Sequence, residues 1–328
     1  MRHLSSFFKF FPPPKLLTMS HAGLEISDDA IRCIVYKITS KGYVVSRYAK
    51  TDLPVGLIEN GEVKDEEKYR EILSSFTAAN RLDYVKVSLP EEKVYLFQTE
   101  ILSADIRAIE QNVEFKLEEN VPLASSEAVF YFDILPTSVT GGTLRASVSV
   151  VSKSYVERYI ALLKSMSITP VAFEVVPKSI AKAIVSEGSD ETDMIIHAMD
   201  RKTGIYIVSG GVVCFSSTVA WCNPSRDHLS APAAIGVDSL IKEIDRVCSY
   251  WATRPDTHSA ISKILIVGRD AVSVQNALLS HADAEREILT AGIADIWHNV
   301  FDIDSYIPPI SHDESLEYAV VSGLAMPL

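Results

Sequence analysis

The chain has 328 residues, room for about two domains, and its 47% hydrophobic and 23% charged content is that of an ordinary globular protein with a full core. A formal net charge of −12 repels phosphate backbones and argues against nucleic-acid binding through a basic face. No run approaches the ~18–20 apolar residues of a membrane span. The cysteines Cys33, Cys214, Cys222 and Cys248 form no C-x-x-C pair, which fits reduced thiols in a cytoplasmic protein and no zinc site.

Residues 1–18 stand apart, with Arg2, Lys9 and Lys15, no acid, four Phe and a Pro triplet. Three readings compete: sequence upstream of a true start at Met19, a disordered tail, or a weak interfacial anchor. From Ala22 the pattern becomes regular. Ala22–Ile26 is an apolar strand, Ser27-Asp28-Asp29 a polar turn, Ile31–Ile38 a β-branched strand, Ser40-Lys41-Gly42 a hairpin, and Tyr43–Tyr48 the returning strand. Asp65–Asn80 reads as a helix capped by Asp65, with Ile72, Leu73, Phe76 and Thr77 on one face. Val85–Leu89 is a buried strand ending at Pro90.

Glu91–Val151 reads as an insertion of β-α-β-β form, with strands at Val94–Ile101, Ala128–Leu135 and Thr143–Val151 and a helix at Ala104–Glu118. A helix at Ser152–Met166, a strand at Pro170–Val175 and a helix at Pro177–Val185 follow. The polar stretch Glu187–Thr192 divides the chain, and the opening layout then returns. Asp193–Met199 is a strand, Asp200–Thr203 a polar turn, Gly204–Val208 a strand, Ser209-Gly210-Gly211 a hairpin, and Val212–Ala220 the return. A long helix at Ile235–Thr253, a strand at Lys263–Val267 and helices at Ala271–Ser280 and Ser315–Ala325 complete it; the stretch between those last helices is mixed and has no readable order.

The pattern predicts an α/β protein of two duplicated halves, 20–187 and 192–328, around a central cleft, with the small βαββ insertion at 91–151 in the first half. The two polar turns would face each other across the cleft. Turns of this kind offer backbone N–H groups and hydroxyls to phosphate oxygens, with nearby carboxylates holding Mg²⁺. Catalytic motifs are absent: there is no G-x-S-x-G, H-E-x-x-H, Walker loop or G-x-G-x-x-G, and no metal spacing.

Several segments, in order, resemble the PilM family of type IV pilus assembly: GLEISDDAIR at Gly23–Arg32, LPVGLIENGEVKDEEKY at Leu53–Tyr69, VSLPEEKVY at Val87–Tyr95, VEFKLEENVP at Val113–Pro122, TGIYIVSGGVVCFSSTV at Thr203–Val219 and YAVVSGLAM at Tyr318–Met326. The resemblance implies two ribonuclease-H-like (actin/Hsp70-like) halves with an inserted subdomain. It also implies ATP with Mg²⁺ in the cleft, a groove for the cytoplasmic N-terminal peptide of a PilN-like inner-membrane protein, and a cytoplasmic scaffold held at that membrane by partners. The related type II secretion protein continues into a transmembrane helix and periplasmic domain; an end at Leu328 favours the pilus version. An FtsA-like cell-division protein is a further alternative, but Tyr318–Leu328 lacks the basic face of a membrane helix.

Against the family pattern the nucleotide elements are altered. Glu25 stands for an Asp, Ser27 for a Gly, Asp28 and Asp29 near the hydroxyl positions, and Arg32 for a Lys. A carboxylate about 4 Å from a phosphate costs roughly 1–4 kcal/mol. His197-Ala198-Met199 replaces the second D-I-G, and the exit loop keeps one glycine, Gly268, before Arg269. A degenerate cleft without hydrolysis is expected, with a working ATPase as the alternative. If nucleotide binds, its contacts are Ser27, Asp28, Asp29, Arg32, Arg201, Lys202, Thr203, Gly236, Glu243 and Gly268. For the partner peptide the expected residues are Val87, Leu89, Pro90, Tyr95 and Phe97.

Overall fold

The computed structural model describes residues 20–39, 42–102, 106–135, 143–220, 237–254, 260–280 and 290–327. The expectations for residues 1–18, Cys222 and Gly236 lie outside these. The chain opens with β1 (Ala22–Ile26), β2 (Ala30–Thr39) and β3 (Gly42–Asp52), then a ribbon of β4 (Ile58–Glu59) and β5 (Glu62–Val63), helix α1 (Glu66–Ala79) and β6 (Tyr84–Leu89). The ribbon turns on Asn60-Gly61, both at positive φ (51° and 70°), the geometry a two-residue hairpin demands. The Asp65 side chain caps α1 by accepting from the Lys68 N–H, and Tyr69, Leu73, Phe76 and Thr77 bury one face.

A module of β7 (Val94–Leu102), α2 (Ile106–Asn120), β8 (Ala128–Ile134) and β9 (Thr143–Ser152) follows. Its antiparallel sheet runs β7-β9-β8, so β8 is an edge. It has its own core, in which Val113 and Leu117 of α2 meet Ala146, Val148 and Val150 of β9. Helix α3 (Lys153–Ser165), β10 (Thr169–Val175) and α4 (Val176–Ile184) complete the first half.

The second half has β11 (Thr192–Ala198), β12 (Thr203–Ser209), β13 (Val212–Val219), α5 (Val237–Thr253), β14 (Ile261–Val267), α6 (Ala271–Ser280), β15 (Thr290–Ile293), α7 (His312–Ser315) and α8 (Ala319–Ala325). The two main sheets have one topology: β3-β2-β1-β6-β10 and β13-β12-β11-β14-β15. In each, the first three strands pair antiparallel and the last two join in parallel. The central strands β1 and β11 are buried along their whole length, as strands covered on both faces must be. The duplicated actin-like fold expected from the sequence is therefore present.

The strand β15 sits in the stretch with no readable order. Four residues, Thr-Ala-Gly-Ile, carry too short a pattern to be seen; pairing with β14 makes them a strand. The helix expected over Ser315–Ala325 is broken by a 3₁₀ turn at Leu316–Tyr318. Helix α8 is buried at every residue and crosses back to pack on β1, β2 and β6 and against α4. Backbones meet closely there: a Cβ on Gly323 would overlap the Ser179 carbonyl of α4. Helix α4 in turn packs on β13 of the second sheet, and one continuous core joins it, α8 and the second half.

Candidate functional site

The β1–β2 turn faces the β11–β12 turn, as the duplication requires. Ser27 donates to Asp29 Oδ1 at 2.5 Å, and the Ala30 N–H donates back to Ser27 Oγ at 3.2 Å. Pairing of β1 with β2 sets Glu25 opposite Arg32. The Arg32 guanidinium, 5% exposed, is shared by Asp29 at 2.8 Å and by Glu25 and Glu317 at 3.5 Å. Glu317, in the 3₁₀ turn before α8, also takes Lys50 at 2.6 Å and Arg269 at 3.7 Å, and Arg269 reaches Asp200 at 3.7 Å.

A second cluster forms beside it. The Asp28 carboxylate accepts the N–H groups of Asn60 and Gly61, each at 3.0 Å. Lys202, from the opposite turn, pairs with Asp28 at 3.4 Å and with Glu92. The fully buried Tyr206 donates to Glu91 Oε1 at 2.9 Å. Lysine, arginine and carboxylate thus meet across the halves, while Glu25 Oε2, Arg32 Nε and Glu92 Oε2 stay without a hydrogen-bond partner.

Burial sets the proton affinities. It pushes Glu25 up to about 7 in spite of Arg32. Burial alone would raise Asp29, but Arg32 and the Ser27 hydroxyl outweigh it and hold that carboxyl below the usual range. Burial disfavours the Lys202 charge, yet Glu91, Glu92 and Asp28 keep it above the ordinary lysine value. His197 is pushed down to about 3 by burial and then by Arg32, so it is a neutral imidazole.

His197 yields a signed prediction. Its folded value lies below its unfolded value of about 6.5, so the unfolded chain binds the extra proton and stability falls as pH drops from about 6.5 towards 3. By pH 5 this amounts to about 2 kcal/mol. Denaturant titrations at pH 7 and pH 5 are expected to show that His197→Gln removes this loss. Glu25 has the opposite sign: its raised folded value makes stability fall as pH rises from about 4.5 to 7. Glu25→Gln is therefore expected to steepen the loss on acidification.

The other expected nucleotide residues fall as follows. Thr203 is fully buried and its hydroxyl has no hydrogen-bond partner. Arg201 is half-buried at the turn whose Met199 N–H bonds the Lys202 carbonyl at 3.0 Å. Glu243 on α5 accepts from Arg246 at 2.6 and 2.8 Å and from Ser217 of β13 at 3.4 Å. Gly268 has φ +99°, and any Cβ would overlap the Ala198 carbonyl, so its glycine is explained by close approach of β14's exit to β11. Glu91, Glu92, Glu317 and Tyr206 were missed by sequence reasoning. Their partners lie tens to hundreds of positions away, and no local pattern marks them.

Of the expected partner residues, Leu89 lines a groove and the rest do not. The groove, about 570 Å³, runs between the edge strand β10 and the edge strand β8 of the inserted module. Its walls include Leu89, Val94, Val129, Tyr131, Phe173 and Val175. Val87 is wholly buried in the first-half core. Phe97 packs into the module's own core. Pro90 starts the 3₁₀ turn Glu91–Lys93, and Tyr95 is 43% exposed outside the groove. The groove walls come mainly from β8, β9 and β10, which only the fold brings together.

Comparison with known proteins places this architecture. The fold matches a chain of a PilM-PilN type IV pilus biogenesis complex with a TM-score of 0.75 and 17% identity, over 94% of this chain and 98% of that one. The cytoplasmic domain of EpsL, an inner-membrane component of the type II secretion system of Vibrio cholerae, matches at a TM-score of 0.46 and 12% identity, over 76% and 82%. The ethanolamine utilization protein EutJ of Carboxydothermus hydrogenoformans matches at 0.49 and 10%, over 96% and 90%. Comparison with curated proteins gave no match. The family model of type IV pilus assembly protein PilM matches residues 23–221. That stretch is more than half of the chain, and it carries the first sheet, the inserted module and the first three strands of the second sheet: the chain belongs to the type IV pilus assembly protein PilM family.

Proposed function

We propose that the protein is a PilM-like scaffold of the pilus inner-membrane platform. It holds the cytoplasmic N-terminal peptide of a PilN-like membrane protein in the groove between β10 and β8, and its cleft is degenerate towards nucleotide. The observation that carries the peptide reading is the groove itself. Two sheet edges flank an apolar trough, the arrangement that accepts an extended peptide by backbone pairing and side-chain pockets. Attachment through that peptide puts the protein at the cytoplasmic face of the inner membrane. Among the described residues no helix is long and apolar enough to cross it.

The fit to Mg²⁺ and a triphosphate is poor. Arg32 is surrounded by Glu25, Asp29 and Glu317, and Lys202 by Asp28 and Glu92. The Asn60 and Gly61 N–H groups already bind the Asp28 carboxylate. A phosphate would displace these carboxylates and be repelled by them. Among the described residues no group of His, Cys, Asp and Glu is arranged to hold a metal. A working ATPase stays the competing reading on one observation: the buried Thr203 hydroxyl and Arg32 Nε lack partners in the cleft.

Calorimetry separates the two. A PilN-like N-terminal peptide is expected to bind in the micromolar range, and no binding at high micromolar peptide removes the scaffold reading. ATP·Mg²⁺ is expected to give no submicromolar site. Submicromolar affinity, lost in Thr203→Ala, would overturn the degenerate cleft.

A further inference from the structure

Given the peptide reading of the groove, on which this rests, we propose that Lys182 selects the peptide's sequence: it binds an acidic side chain, aspartate or glutamate, on the extended peptide seated between β10 and β8. Lys182 lies on α4, half-buried, and lines the groove.

Charge is the first observation. In a chain of net charge −12, the groove is lined by three lysines, Lys86, Lys178 and Lys182, and by one carboxylate, Glu174. Two of the lysines are matched within the protein. Lys86 is held by Glu174 at 2.6 Å, and Lys178 by Asp133 at 2.8 and 3.0 Å. Glu174 is used twice, since it also accepts from Ser179 at 3.0 Å. Lys182 has no carboxylate partner among the described residues. It donates to the Pro327 carbonyl at 2.9 Å and reaches the Met326 carbonyl at 3.5 Å. An ammonium has three N–H donors, so one is left for a ligand.

The second observation is what surrounds that ammonium. Leu89, Val156, Phe173 and Val175 make much of the wall apolar, so a carboxylate brought there loses water and needs a cation in its place. Burial, and then Lys86 of β6, pull the Lys182 amine down to about 8; Lys178, one turn earlier on α4, acts the same way, and Glu174 of β10 opposes them. The protein by itself therefore leaves this charge under-compensated. A peptide carboxylate supplies the counter-ion and a charge-assisted hydrogen bond. A basic or wholly apolar peptide leaves Lys182 unmatched, so the same residue disfavours wrong sequences.

The test is calorimetry on the full chain with the N-terminal peptide of a PilN-like protein, in two series in which each residue in turn is replaced by Glu or by Gln. At the position facing Lys182 the Glu peptide is expected to bind about tenfold more tightly than its Gln twin at pH 7. The difference should vanish in Lys182→Met and survive in Lys182→Arg, which keeps the charge. It should also shrink to about twofold at pH 9, because the amine loses its proton near 8 and only the charged form favours Glu. A lysine that merely ties down the Met326 and Pro327 carbonyls would lower the thermal midpoint in Lys182→Met and give no difference between Glu and Gln. Two results overturn the proposal while leaving the groove reading intact. One is peptides that bind with no position at which Glu exceeds Gln by more than about twofold. The other is a Glu advantage that persists in Lys182→Met. No binding by any peptide of either series removes the groove reading, and this assignment with it. The comparison of Glu with Gln on the unchanged protein, with its pH profile, decides the matter even where Lys182→Met does not fold.

Discussion

Val129→Asp is expected to abolish capture of the PilN-like peptide while the protein stays folded. Val129 sits on the edge strand β8, 42% exposed, and forms part of the groove wall with Tyr131, Leu89 and Phe173. A peptide seated there would strip water from the new carboxylate without offering it a partner. Two of the groove's lysines are already committed: Lys178 is held by both oxygens of Asp133 at 2.8 and 3.0 Å and stands over the Tyr131 ring at 3.8 Å, and Lys86 is held by Glu174 at 2.6 Å. Burying an unpaired charge at the centre of an interface costs about 3 kcal/mol or more, roughly two orders of magnitude in affinity. In the free protein the side chain faces water, so the thermal midpoint should move by less than about 2 °C. Val129→Ala, which removes apolar contact without adding charge, should cost about 1 kcal/mol of binding. Unchanged affinity in Val129→Asp would place the peptide elsewhere.

Among the described glycines, Gly323→Ala is expected to produce the largest loss of stability. Gly323 lies in α8, where its Cα faces the Ser179 backbone of α4. These two helices cross at the junction of the halves, and both belong to the core that runs into the second sheet. An added Cβ meets backbone, which cannot rotate away as a side chain can. The helices must separate, and the neighbouring contacts of Ser322, whose hydroxyl bonds Tyr36 at 2.8 Å and the Ile296 carbonyl at 3.1 Å, loosen with them. Overpacking of this kind costs about 3 kcal/mol, a fall of roughly 5–10 °C in thermal midpoint. Gly292→Ala is the control. A Cβ on Gly292 of β15 meets nothing within 4 Å, and the change should stay within about 0.5 kcal/mol. If the two variants melt together, the close helix crossing is not what holds the halves.

These predictions divide between what a local pattern carries and what it cannot. The two β-β-β units were legible because each is a run of alternating or continuous apolar residues closed by turn residues such as Ser27-Asp28-Asp29 and Ser209-Gly210-Gly211. Helix α1 was legible from its Asp65 cap and its spaced apolar face. The replacement of small and hydroxylated residues at the first turn by two aspartates was visible too, and with it the expectation of a crowded cleft. The strand β15 was not legible, because four residues hold no period and become a strand only against β14. Nor was the groove: its walls Val129 and Tyr131 belong to one sheet and Phe173 and Val175 to another.

By itself, then, the sequence determined most of the strands and helices and the duplication, since periodicity and turn chemistry act over a few residues, and its ordered motifs carried the resemblance to the family. The tertiary structure alone decided which charges answer each other. Glu317 reaches Arg32, Lys50 and Arg269, and Lys202 reaches Asp28 and Glu92, across separations that no local rule spans. Burial strengthens such pairs, and distance in space, not along the chain, sets their energy.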